Sequence, residues 1–226
     1  MDRLILGLDR ALRTLTGQHT AARPSPTEQP DNPADGDAAL AGANAASEST
    51  EVATTMTKAQ RRHAAGLMRV NHCGEVCAQA LYEGQALTAS GADTRELLEA
   101  ACAEEIDHLV WCEQRLAQLD ARPSMLNPLF YAGSWGLGVV TGLLGDRTSL
   151  GFVEATEHQV VAHLDRHLDE LPAADTASRA VLTQMRADEA RHGEQALDAG
   201  GAEFGGLGKA MMGVVARVMT VTTYRI

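Results

Sequence analysis

Two short segments of the chain each pair a glutamate with a histidine three residues later. In ACAEEIDHLVWCEQRL the pair is Glu105 and His108, and in RADEARHGEQAL it is Glu189 and His192. A spacing of three residues puts both side chains on one face of a helix. Each pair can therefore direct one carboxylate and one imidazole toward a common point.

A further glutamate precedes each pair by about the length of a helical hairpin. Glu75 lies 30 residues before Glu105, and Glu157 lies 32 residues before Glu189. On helical wheels at ~100° per residue, Glu105, Glu157 and Glu189 fall in the middle of apolar stripes. Glu154 lies ~60° away from Glu157 on the same wheel and stays a second candidate on that helix.

The neighbouring acidic residues and the other histidines receive simpler interpretations. Glu104, Asp107 and Glu113 point away from the apolar stripe of their helix, so we expect them at the solvated surface. We expect exposed or polar helix positions for His63 and His72, a position off the stripe for His158, and surface or supporting positions for His163 and His167.

Four carboxylates inside a helical bundle require positive charge. Removing a carboxylate from water costs several kcal/mol unless it is paired or bound to a metal. Two divalent ions would balance four carboxylates, and this ligand pattern is that of ferritin-like di-iron or di-manganese carboxylate proteins. Carboxylate-rich sites suit iron or manganese better than zinc or copper. A single Glu-x-x-His is common on surface helices, so the prediction depends on the pattern occurring twice.

Four long helical patterns carry these residues, over 59–89, 94–119, 150–171 and 175–199. The first two and the last two are joined by short turns, which predicts two antiparallel hairpins. The connection between the hairpins is much longer. The sequence therefore predicts an all-α fold, a ferritin-like four-helix bundle. A last apolar segment, residues 209–226, could add one more helix.

The long connection is apolar. Residues 124–145 contain no charged residue but include five glycines. The 22 residues are enough to raise the question of a membrane span, but both ends join helices of one bundle. We expect a bent helix in the bilayer interface, with a buried structural helix as the alternative. The predicted fold thus includes extra apolar membrane-interacting helices.

The N-terminal part differs in composition from the rest. Residues 20–57 are rich in Pro, Ala, Asp, Ser and Thr and almost lack large apolar residues, which predicts a disordered linker. We expect residues 1–57 to form a short helix and this linker, and residues 58–226 to form the folded domain. The four cysteines contain no C-x-x-C pair, so reduced and buried thiols are favoured. A net charge of −11 makes nucleic acid an unexpected partner.

Several motifs resemble those of the demethoxyubiquinone hydroxylases, the di-iron enzymes of ubiquinone biosynthesis. They are RVNHCGEVCAQALYEGQAL, EEIDHLVWCEQRLAQLDARPSMLNPLFYAGSWGLGVVTGLLGD, SLGFVEATEHQVVAHLD and RADEARHGEQAL, and the likeness covers residues 58–226. The resemblance implies the iron ligands Glu75, Glu105, His108, Glu157, Glu189 and His192. It also favours Glu157 over Glu154, and we take Glu105 and Glu157 as the bridging carboxylates.

The resemblance also implies an activity. Members hydroxylate the ring of a polyprenylated 3-methyl-6-methoxy-1,4-benzoquinol with O2, the penultimate step of ubiquinone biosynthesis, and take electrons from NADH or the quinol. We therefore expect two iron ions per chain, with no catalytic residue beyond the metal centre and no separate cofactor site. The expected location is peripheral, on the cytoplasmic side of the bacterial inner membrane. A second copy of the chain and other ubiquinone-biosynthesis proteins are further expected partners. The alternatives are a ferritin-like ferroxidase or iron-handling protein, and a helical membrane adaptor with a decayed site.

Overall fold

The computed structural model describes residues 2–27 and 56–226, and every regular element within these ranges is helical. The described residues form seven helices: α1 (Asp2–Thr16), α2 (Lys58–Thr88), α3 (Ala92–Gln118), α4 (Asn127–Leu143), α5 (Asp146–Glu170), α6 (Thr176–Asp198) and α7 (Gly206–Thr223). The all-α prediction is confirmed, and the arrangement is consistent with a ferritin-like helical bundle.

The two predicted hairpins are α2 with α3 and α5 with α6. Thr57 begins α2 with a capping box, because its hydroxyl accepts the Gln60 N–H while the Gln60 side chain accepts the Thr57 N–H. Asp175 begins α6 by accepting a hydrogen bond of 2.9 Å from the Ser178 N–H. The predicted helix ends agree within a few residues, and α5 begins earlier than expected, at Asp146.

Two apolar layers enclose one polar layer inside the bundle. The first apolar layer includes Met68, Trp111, Leu116, Leu164 and Leu182, and the second includes Leu81, Tyr82, Leu98, Leu150 and Ala196. On α6, for example, Glu189 and His192 lie between Leu182 and Ala196 along the helix. The same order holds on α2, α3 and α5, so all predicted ligands fall between the two apolar layers.

The crossover helix α4 lies very close to α2 because glycines face the opposing backbone. A Cβ at Gly138 would lie 2.2 Å from the Leu81 carbonyl oxygen, and one at Gly84 would lie 2.4 Å from the Trp135 carbonyl oxygen. The outward face of α4 leaves large apolar side chains exposed: Leu129, Leu137, Val140, Leu143 and the adjoining Leu144. The segment therefore buries one face and exposes the other. Within the described residues, no helix combines the length and the apolar character needed to cross a bilayer.

Residues 17–27, here called the N-terminal arm, follow α1 and lie against α3. Ala22 and Arg23 form hydrogen bonds with Asp107. Residues 20–27, which the sequence assigned to the linker, thus take a defined path on the bundle. The remaining residues of the predicted linker, 28–55, lie outside the described ranges, so the linker and the domain boundary near residue 57 stay predictions.

Candidate metal centre

The polar layer brings all six predicted ligands to one level of the bundle. α2 contributes Glu75, α3 contributes Glu105 and His108, α5 contributes Glu157, and α6 contributes Glu189 and His192. None of these residues is more than 3% exposed. Amphipathic periodicity on four separate helices thus concentrates four carboxyl groups and two imidazoles in the interior.

His108 lies among three of the carboxylates. Its Nδ1 is 3.0 Å from Glu189 Oε1, 3.2 Å from Glu105 Oε2 and 3.5 Å from Glu75 Oε2. One ligand atom from each of these four residues lies within 4.8 Å of the other three. Such a group has the size and the donor atoms for one metal ion.

His192 lies beside the same two central glutamates. Its Nδ1 is 3.1 Å from Glu189 Oε2 and 3.5 Å from Glu105 Oε1. Glu105 and Glu189 therefore direct one oxygen toward each histidine. The carboxylates that lie beside both histidines are Glu105 and Glu189, since the two Glu-x-x-His helices face each other across the bundle. The expected bridging pair, Glu105 and Glu157, stays a prediction.

Glu157 completes the polar layer near His192 and Glu189. Its Oε1 accepts a hydrogen bond from the Tyr82 hydroxyl, which is fully buried. Glu154, the other candidate on α5, instead lies 3.8 Å from Lys209 Nζ. The structure thus separates the two glutamates and assigns Glu157 to the polar layer.

Burial and mutual repulsion act on the carboxyl groups. Burial raises the pKa of Glu75, and the charges of Glu105 and Glu189 raise it further. Burial also raises the pKa of Glu157, with Glu189 again adding to the effect. For Glu105 burial opposes ionisation, but the neighbouring imidazoles of His108 and His192 outweigh it and hold the pKa below its usual range.

The imidazoles shift in the opposite sense. Burial alone would lower the pKa of His192, but Glu105 and Glu189 raise it to about 11. Burial also disfavours the His108 cation, and the charge of Glu189 with the neighbouring carboxylates raises its pKa well above the usual value. These raised pKa values mean that the buried carboxyl and imidazole groups hold protons in the absence of other positive charge. Metal ions bound to these groups would displace those protons.

The donor set is compatible with bound metal. Three buried carboxylate oxygens accept no well-aligned hydrogen bond from the described residues: Glu105 Oε1, Glu157 Oε2 and Glu189 Oε1. Buried oxygens without a donor are costly and uncommon. Coordination would satisfy them, and carboxylates with two imidazoles suit iron or manganese.

Asp188 supports His108 from outside the ligand group, and the sequence analysis did not identify it. Its Oδ2 is 3.1 Å from His108 Nε2, while Arg191 and Gln184 donate to Oδ1 at 2.8 and 3.1 Å. Burial opposes its ionisation, but bonds from His108 and Arg191 hold the pKa of Asp188 below its usual range. With a metal ion bound, a proton on Nε2 shared with Asp188 would leave the Nδ1 lone pair of His108 free to bind that ion.

Glu104 takes the corresponding place near His192. Its Oε2 is 3.4 Å from His192 Nε2, and it also pairs with Arg191. Glu104 directly precedes Glu105, as Asp188 directly precedes Glu189. The sequence could have indicated these two residues, because an acidic residue directly precedes each ligand glutamate. Each of them lies near the histidine of the other helix.

Four surface predictions were wrong or incomplete. Asp107 is only 2% exposed because the N-terminal arm covers it. His72 is 1% exposed rather than at the surface, since α4 brings Asn127 to its Nδ1 while Glu113 lies 3.2 Å from its Nε2. Glu104 and Glu113 are partly buried by these partners. Long-range neighbours, which the helical wheel omits, explain each difference.

The remaining histidines lie outside the ligand group, as expected. His63 is partly buried at Tyr224, His158 is exposed, and His167 bonds to Asn71 Oδ1 at 2.8 Å beside His163. The cysteines are free, which confirms that prediction: Cys73, Cys102 and Cys112 are buried, and Cys77 is partly buried.

Comparison with known proteins places this geometry in context. The profile of the family described as Ubiquinone biosynthesis protein COQ7 matches residues 62–223. A protein of Ralstonia pickettii (strain 12J), named 3-demethoxyubiquinol 3-hydroxylase, is 53% identical over 226 residues, which cover 100% of both chains. A protein with the same name from Pseudomonas fluorescens (strain SBW25) is 52% identical, and the match covers 100% of this chain and 96% of that protein. Another from Burkholderia ambifaria (strain MC40-6) is 50% identical, and the match covers 99% of this chain and 98% of that protein. The family resemblance seen in the motifs is confirmed, and the chain belongs to the family of Ubiquinone biosynthesis protein COQ7.

Proposed function

We propose that the chain is a membrane-associated di-iron monooxygenase that hydroxylates the ring of a polyprenylated 3-methyl-6-methoxy-1,4-benzoquinol with O2. The observation that carries the proposal is the buried layer of four glutamates and two histidines from four helices. The relatives at about half identity, named for hydroxylation of 3-demethoxyubiquinol, support this substrate class.

The chain's own residues would bind the two ions and fix the ligands. Glu105 and Glu189, which each lie beside both histidines, would hold the ions together with the Nδ1 atom of each histidine. Bound iron would supply the electrons and the Lewis acidity that activate O2. Tyr82 occupies Glu157 Oε1 and leaves Oε2 for a metal. The apolar layers on both sides exclude water from the site.

The exposed face of α4 supports delivery of an apolar substrate from a membrane surface. Leu143 is 71% exposed, Leu129 is 68% exposed and Val140 is 53% exposed, all on a segment without charge. Such a face binds lipid through apolar area. We propose that the protein lies peripherally on the cytoplasmic side of the inner membrane. The proposed reductant is NADH or the quinol. The proposed partners are a second copy of the chain or other ubiquinone-biosynthesis proteins.

The catalytic proposal is tested by iron content and quinol turnover. Wild-type protein loaded without oxygen should bind about two iron ions per chain, and it should hydroxylate a short-chain demethoxyquinol when O2 and reductant are added. Glu189→Ala should lose both properties. Glu194→Ala, an exposed glutamate on the same helix, should retain both.

Two results would count against the proposal. Wild type with two irons that turned over no quinol would contradict the hydroxylase. Many irons oxidised per chain in a large soluble assembly would favour the ferroxidase instead.

The membrane proposal is tested by co-sedimentation with phospholipid vesicles. Leu143→Asp should weaken binding by about 10- to 150-fold, since a buried leucine contributes about 1.5–3 kcal/mol. Leu197→Asp, at a 42% exposed leucine on α6, is the control and should bind like wild type. Equal binding by wild type and Leu143→Asp would exclude α4 as the contact surface.

A further inference from the structure

The N-terminal arm reaches the acidic residues that surround the metal centre. The Ala22 N–H donates to Asp107 Oδ1 at 2.6 Å, and Arg23 Nε donates to Asp107 Oδ2 at 2.6 Å. Asp107 is only 2% exposed, and all of its side-chain hydrogen bonds in the described structure come from these two residues. Asp107 therefore fixes the N-terminal arm to α3.

The same guanidinium continues to the residue that supports His108. Arg23 Nη1 donates to Asp188 Oδ2 at 2.9 Å, and that same oxygen lies 3.1 Å from His108 Nε2. Arg23 and His108 therefore share one carboxylate oxygen. The position of Arg23 affects where Asp188 holds the imidazole.

Trp111 fixes the guanidinium on its other side. The Arg23 guanidinium carbon lies 4.8 Å from the centre of the Trp111 ring, in the range of a cation–π contact. The Trp111 Nε1–H donates to the Arg23 carbonyl at 3.4 Å, and the Trp111 ring is 5.5 Å from the His108 ring. Side-chain and backbone contacts thus hold Arg23 in one orientation.

We propose that Arg23 is a positioning residue of the metal centre and that the N-terminal arm and the metal ions bind cooperatively. This inference rests on the proposed two-metal site. Partners that hold metal-ligating histidines from outside typically change metal affinity by about 10–100-fold when removed. Arg23 acts through Asp188, which Arg191 and Gln184 also hold, so we expect an effect near the lower limit.

Thermodynamic linkage makes the coupling reciprocal. If docking of Arg23 strengthens metal binding by a given factor, metal binding must strengthen docking of the arm by the same factor. Bound metal should therefore protect the arm from opening, and this consequence can be measured without any substitution or turnover.

The test combines Co²⁺ titration with hydrogen exchange of residues 18–27, measured by mass spectrometry. In wild type, Co²⁺ should slow exchange of the arm by about tenfold. Arg23→Gln should bind Co²⁺ about tenfold more weakly and lose that protection, while Arg23→Lys should lie between them. Arg13→Gln, at an exposed arginine of α1 that pairs with Asp9, should match wild type.

The outcomes separate the two proposals. Wild type that failed to bind Co²⁺ would overturn the two-metal site and this inference with it. Wild type that bound Co²⁺ with no change in arm exchange would overturn the coupling alone, as would an unchanged Co²⁺ affinity in folded Arg23→Gln.

Discussion

Replacing Glu75 with glutamine should stabilise the metal-free protein while weakening its response to metal. Glu75 is 3% exposed, and burial together with the charges of Glu105 and Glu189 raises its pKa. In the unfolded chain the same carboxyl ionises near 4.5. Above that pH the unfolded state loses a proton that the folded state retains, so stability falls as pH rises.

The size of the effect follows from this difference. Each pH unit above 4.5 costs about 1.4 kcal/mol until the folded carboxyl also ionises. At pH 7 the cost is therefore at most about 3 kcal/mol, and coupling within the cluster reduces it. Glu75→Gln should raise the free energy of unfolding by about 1–3 kcal/mol at pH 7 and by nearly nothing at pH 4.

Metal should stabilise wild type more than Glu75→Gln. With free metal at about 100 times the dissociation constant, wild type should gain about 2.7 kcal/mol. Glu75→Gln lacks one of the predicted ligands and should gain much less at the same concentration. Urea unfolding followed by circular dichroism, with and without Mn²⁺, gives both quantities.

Glu83→Gln is the matched control. Glu83 lies on the same helix and is 7% exposed, but Tyr131 and Gln79 donate to its two oxygens at 2.5 and 3.1 Å. Its replacement should leave the Mn²⁺ response unchanged, because Glu83 lies outside the ligand group. The reasoning is refuted if Glu75→Gln destabilises the metal-free protein at pH 7 and keeps the full Mn²⁺ response.

Two further predictions concern α4 and the acid stability of the bundle. Gly138→Ala would place a Cβ 2.2 Å from the Leu81 carbonyl oxygen and should cost about 1–3 kcal/mol in urea unfolding. A Cβ at Gly133 would meet no atom from another part of the described structure within 4 Å, so Gly133→Ala should be neutral or stabilising. Equal effects would contradict the close helix contact. Burial lowers the pKa of His167 from 6.5 to about 3, so below pH 6.5 only the unfolded state gains this proton and stability should fall by about 2 kcal/mol at pH 5. His167→Gln should lose less stability than wild type between pH 7.5 and pH 5, and an identical loss would contradict this assignment.

Local periodicity explains what the sequence could predict. The spacing of Glu105 and His108, repeated at Glu189 and His192, depends only on helical geometry, and the structure places all four in one buried layer. Helix starts and ends follow from capping residues such as Thr57 and Asp175.

Contacts between distant segments explain what the sequence could not predict. The wheel turned Asp107 away from the bundle core correctly, but the arm from 84 residues earlier covers that side. His72 is buried by Asn127 from α4, which is 55 residues away. Glu189, rather than Glu157, lies beside both histidines together with Glu105. This arrangement depends on how α3 faces α6, and the periodicity of a single helix carries no information about that packing.

Incorporation of labelled oxygen tests the central claim most directly. Iron-loaded, reduced protein should be mixed with a short-chain demethoxyquinol and ¹⁸O2, and the product should be analysed by mass spectrometry. The account predicts a hydroxylated ring that carries one ¹⁸O atom and is absent with Glu189→Ala. A substrate recovered without added oxygen, or a hydroxyl derived from water, would contradict it.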